Sequence, residues 1–163
     1  MADETTDEKL EQYPTTILEF ETRPGVRVDL RRPLDREAVR ALARVGLDRE
    51  FAVLTAENPH GEHAEGGRNG GETRAQKARN EWRTGVLVRE LTRRSVRFVF
   101  VDGVSPDGSY REHCVAVPIP RNEAVALARQ FSQIAIFWYD GGRFWLLPAE
   151  VDEEPRPLPD DNA

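Results

Sequence analysis

The chain has 163 residues, 39% hydrophobic and 32% charged, with a net charge of −6. That balance fits one globular domain with a real core and excludes a chain too polar to fold. No apolar run approaches the roughly 20 residues of a membrane-spanning helix. A single cysteine, Cys114, rules out an internal disulfide, and the acidic start MADETTDEKLEQ is neither a secretory signal nor a transit peptide, so a cytoplasmic protein is expected.

The acidity lies at the two ends. Residues 1–12 carry −4 and residues 150–163 carry −5, which leaves +3 for residues 13–149. We read 1–12 as a disordered acidic tail, 13–149 as the folded domain, and the proline-rich EVDEEPRPLPDDNA of 150–163 as a second disordered tail.

Within the domain, Thr15–Phe20 reads as a strand, and Arg23-Pro24-Gly25 turns the chain into an alternating strand containing Val26, Val28 and Leu30. Asp35 caps a helix over Arg36–Val45 that stops at Gly46. Phe51–Ala56, FAVLTA, lacks polar alternation and predicts a central strand covered on both faces. It stops abruptly at Thr55, Glu57, Asn58 and Pro59, which suits side chains placed at a pocket mouth.

The following stretch, Glu57–Gly71, is long and glycine-rich, as expected of a mobile lid. Thr73 and Gln76 then form a capping box for a helix reaching about Arg93. Its apolar residues make two stripes, Ala75, Ala78, Trp82 and Val86 against Leu87 and Leu91, so two packed sides are expected, with Asn80 enclosed beside the second stripe.

Val96–Val101 predicts another strand, ended by Asp102-Gly103 and by the turn Ser105–Gly108. In Tyr110–Val117, Tyr110, Glu112, Cys114 and Ala116 share one face, while His113, Val115 and Val117 share the other. A helix over Asn122–Phe131 precedes a hairpin, Ile134–Tyr139 and Arg143–Leu147, about Asp140-Gly141-Gly142. These elements give an α+β fold: one largely antiparallel mixed sheet with about three packed helices.

Four segments together resemble a bacterial domain-of-unknown-function family: TAENP at Thr55–Pro59, the helical Asn80, the strand Glu112, and FSQIAIFW at Phe131–Trp138. Members show a TA-x-NP strand exit and a late FGQ-x-A-x-F/W signature. The resemblance covers roughly Phe51–Leu147 and implies Thr55, Asn58, Pro59, Asn80, Glu112 and Gln133 as characteristic polar positions. Two departures stand out: Thr73 and Arg74 where an Asn is usual, and Ser132 where Gly is usual. The resemblance implies no activity.

For function, Thr55, Asn58, Asn80 and Gln133 are hydrogen-bonding groups at element ends or on an enclosed helix face, suited either to a ligand or to turn architecture. Glu112 is the one candidate acid/base, with an arginine salt bridge as its ordinary alternative in so arginine-rich a chain. His60 and His63, spaced H-x-x-H in a glycine-rich loop, lack the rigid backing metal ligands need, and neither GxxxxGK[ST] nor GxGxxG occurs, so no metal or cofactor is expected. The primary expectation is a small polar ligand, phosphate-bearing or nucleotide-like, in a pocket at the exit of strand 51–56. The alternative is an interaction module. Residues 68–97 carry +6, and the arginine-rich helix 73–94 with Trp82 would bind RNA, a ribonucleoprotein or an acidic partner. A structural protein with no pocket is the third possibility.

Overall fold

The computed structural model describes residues 6–59 and 73–160. Its centre is β3 (Phe51–Leu54), in which every residue is buried. β3 pairs with β5 (Arg111–Val117) on one side and β6 (Ala135–Tyr139) on the other. The remaining strands are β1 (Ile17–Phe20), β2 (Val26–Asp29), β4 (Val99–Val104), β7 (Phe144–Pro148) and β8 (Arg156–Leu158). They form one eight-stranded sheet in the order β2-β1-β4-β5-β3-β6-β7-β8.

Every pairing in that sheet is antiparallel, so the expected mixed sheet is corrected to a purely antiparallel one. Hairpins explain part of this, since β1–β2, β4–β5 and β6–β7 are joined by short turns that can only reverse the chain.

The sheet curls. β1 and β3 lie three strand spacings apart, roughly 14 Å along a flat sheet. Yet the Phe20 and Phe51 rings meet with centroids 6.2 Å apart. Their face is therefore concave, and it encloses Leu18, Val28, Val101, Tyr139, Phe144 and others in one core. The aromatic residues of the last hairpin belong largely to this packing, as Phe51 stacks near both Tyr139 and Phe144. The convex face of β3 and its neighbours buries Ala52, Leu54, Ile136 and Trp138 against α3 (Arg74–Arg93) and α4 (Arg121–Gln130). Coverage of β3 on both faces follows from its uninterrupted apolar run.

Local signals predicted most helix boundaries. Asp35 caps α2 (Arg36–Arg44), accepting from the Ala38 N–H at 2.8 Å, and Gly46 follows with φ 84°. Thr73 and Gln76 close the capping box of α3 at 2.9 and 3.1 Å.

Three expectations fail here. First, both tails carry structure. Thr6–Leu10 forms the short helix α1, with Leu10 0% exposed, and β8 adds to the sheet edge through Leu158, 3% exposed. Composition described the surface of these segments correctly, but one leucine in each is enough to dock it. Pro157 is tolerated because β8 is an edge strand. Second, among the described residues only one stripe of α3 is buried. Leu87 and Leu91 are buried, whereas Ala75, Ala78 and Trp82 are exposed. Third, Asp102-Gly103 does not turn. Both residues pair with β1 and β5, and the reversal falls at Ser105–Ser109, where Asp107 accepts from the Ser105 and Ser109 hydroxyls and the Ser109 N–H. The lid expected at Glu57–Gly71, with His60 and His63, lies mostly outside the described residues.

Candidate functional site

The concave side of the sheet holds a cavity of about 90 Å³ near the exit of β3. Thr55, Asn58, Glu112 and Gln133 all line it, although 78 residues of sequence separate the first from the last. Strand alternation explains the placement of Glu112. It shares its face with Cys114 and Ala116, which belong to the concave core, so its carboxyl points into the same space.

The side chains fall into two groups. Thr55, Asn80 and Gln133 are buried and make bonds to the main chain. The Thr55 hydroxyl donates to His113 O at 2.6 Å and accepts from the Glu57 N–H at 3.0 Å. Gln133 donates through Nε2 to Glu57 O at 2.9 Å and to Phe131 O at 3.1 Å, tying the strand exit to the end of α4. Asn80 does not line the cavity. Its Oδ1 accepts the Asn58 N–H, and its Nδ2 donates to Asn58 Oδ1, both at 3.1 Å. That grip holds Asn58 at φ 48°, a left-handed conformation asparagine takes more readily than most residues. Ser132 adopts φ 56°, a left-handed conformation that glycine takes at less cost.

The second group faces the cavity. Asn58 Nδ2 donates to the Tyr110 hydroxyl at 2.9 Å, and that hydroxyl donates to Glu112 Oε2 at 2.7 Å. A chain of polar groups thus runs from Asn80 through Asn58 and Tyr110 to Glu112. Burial holds the Glu112 carboxyl above the ordinary carboxylate range, opposed chiefly by the hydrogen bond from Tyr110. No arginine pairs with it among the described residues, so the salt-bridge alternative is overturned. Burial, with the nearby Glu112 charge, also pushes the Tyr110 and Tyr13 phenols and the Cys114 thiol well up, leaving all three neutral. While buried, Cys114 is therefore held as the less reactive thiol.

Sequence reasoning missed three participants. Tyr110 was legible, two residues from Glu112 on the same strand face. Glu57, marked only by its place at the strand exit, is 5% exposed and accepts from the His113 N–H at 3.4 Å. Tyr13, the first residue of the expected domain, carries no motif, yet it lines the cavity and packs on Phe137 with ring centroids 5.5 Å apart.

Among the described residues, the arginines of α3 do not line the cavity, and Lys9 is the one lysine or arginine on its wall. Opposite the cavity, on the convex face, Asp102 accepts from Arg111 at 2.7 Å and meets His113 Nδ1 at 2.8 Å. Among the described residues no three His, Cys, Asp or Glu side chains gather as metal ligands. No described helix is long and apolar enough to cross a membrane.

The family described as Protein of unknown function (DUF3293) matches residues 54–136, just over half of the chain. The chain belongs to DUF3293. No curated protein and no solved structure matches it. The DUF3293 match begins one residue before Thr55 and ends three residues after Gln133, so it spans Thr55, Asn58, Asn80, Tyr110, Glu112 and Gln133. β1, β2, α2, β7 and β8 lie outside it, as does the segment carrying Tyr13.

Proposed function

We propose that the protein binds a small polar ligand in the cavity at the exit of β3, with the ligand's polar end against Asn58, Tyr110 and Glu112. One observation carries this reading: the buried Glu112 carboxyl lies on the cavity wall beside Tyr110 and Asn58, and no described arginine pairs with it. Burying such a group without a counter-charge is unfavourable, and a ligand that donates to it offsets that cost. The volume suits the head of a ligand, since a cavity of about 150 Å³ holds a benzene molecule. With Glu112 on the wall and no described arginine there, the chemistry supports a hydrogen-bond-donating or positively charged head over a phosphate. If the protein is an enzyme, Glu112 is its acid/base and the Asn58–Tyr110 pair orients the substrate.

A thermal-shift panel of amines, amides, nucleosides and phosphates tests this, because a ligand that binds only the folded state raises Tm. The expected hit donates hydrogen bonds, and its shift disappears in Glu112→Gln and in Asn58→Gly. Asn58→Gly keeps the left-handed backbone and removes only the side chain. A hit whose shift survives both substitutions contradicts the reading.

A second reading rests on Trp82, which is 66% exposed on α3 among exposed Arg74, Lys77, Arg79 and Arg89. This face suits base stacking and phosphate contacts on single-stranded RNA. Binding of that kind weakens steeply with salt and is lost in Trp82→Ala. Salt-insensitive binding that survives Trp82→Ala excludes it.

A further inference from the structure

The cavity has one wall unlike the others. Lys9, Gln12, Tyr13 and Thr16 come from a short stretch ahead of β1, while the rest of the lining is largely sheet and turn. β3, β5 and β6 each pair on both sides, so none can move without breaking a ladder. The stretch ahead of β1 is tied differently. Its main-chain bonds are local, from Glu11 N to Asp7 O, Gln12 N to Lys9 O and Thr16 N to Tyr13 O. Thr16 O, accepting from the Leu30 N–H at 3.1 Å, marks where main-chain bonding to β2's end begins.

Beyond that point side chains supply anchors, and Glu8 and Lys9 also have partners. Leu10 is fully buried in the concave core, and Tyr13 lies on Phe137. Glu11 meets Arg156 at 2.7 Å, but with Glu11 66% exposed this pair is well screened by solvent. Segments with few buried apolar contacts and little cross-chain hydrogen bonding open first, well before global unfolding.

We propose that residues 6–16 form a movable wall of the cavity, hinged at Thr16, which swings aside to admit ligand and closes with Tyr13 against it. The ligand contact rests on the reading given above; the motion does not. The same segment lies outside the stretch matched to DUF3293, so the polar network and the wall that closes over it come from different parts of the chain.

Cys114 reports on the motion directly. It is the chain's sole cysteine, 7% exposed, on the cavity wall behind the segment. The rate of its alkylation by a small haloacetamide, in the full chain at fixed pH, is measured against urea below the unfolding transition. Local opening gives a rate nearly independent of urea, since little surface is exposed; global unfolding gives the full urea dependence of the stability curve. The expected result is weak urea dependence in the wild type, at least a tenfold faster rate in Leu10→Ala, and a severalfold faster rate in Arg156→Glu, which reverses the exposed ion pair and leaves the core intact. Leu91→Ala, in the convex core, is expected to lower stability while leaving the urea-independent rate unchanged. Full urea dependence in the wild type and Arg156→Glu overturns the movable wall. Failure of the ligand reading would look different: a wall that opens as expected, with no ligand slowing the alkylation.

Discussion

Glu112 is buried away from water on the cavity wall, so its protonation and the stability of the fold are linked. Its folded-state affinity for a proton is raised, chiefly by burial, above the 4.5 of an ordinary glutamate. At low pH the carboxyl is neutral in both states and costs nothing. As pH rises through the unfolded value the unfolded chain ionises first, and the fold loses stability until the folded value is passed. Glu112→Gln is therefore expected to match or raise Tm at pH 7.5, with the advantage shrinking towards pH 4. Melting curves across that range check it, and a salt bridge would have produced the opposite trend. Asn80 gives the second residue-scale expectation. Alanine there leaves the Asn58 N–H and Oδ1 without their 3.1 Å partners. The cost is about 1–3 kcal/mol, read as a fall in Tm of about 2–4 °C per kcal/mol.

At the scale of elements, what was legible depended on how local the cause was. The caps at Asp35 and Thr73 and the hairpin at Asp140 are short-range chemistry, and each forms where its residues predict. The face of Glu112 followed from strict alternation in β5. Periodicity misled in α3, because it shows which residues share an azimuth and not whether anything packs there. Trp82 lies on such a stripe and faces outward. Trp82→Ala is accordingly expected to change stability by no more than about 0.5 kcal/mol, the range for exposed positions, measured by urea denaturation. A loss of several kcal/mol would place it in a core instead.

Over the whole molecule, the curl of the sheet turns distant polar residues into neighbours. No window of sequence shows that curl; it emerges when Phe20 and Phe51 meet across three strand spacings. The same closure explains why the ends of the chain matter. Leu10 and Leu158 both join the concave core, and Glu11 reaches Arg156. A charge count over residues 1–12 or 150–163 sees only their exposed side chains. Leu158→Ala is expected to cost about 2–5 kcal/mol, as for a core leucine, and a loss near zero would return β8 to the status of a tail.

The central claim, that the concave cavity is where ligand binds, is tested most directly by protection of Cys114. With the best thermal-shift ligand at saturation, alkylation of Cys114 is expected to slow at least tenfold, and the protection to vanish in Asn58→Gly. An alkylation rate unchanged at saturation would place the ligand elsewhere and contradict the account.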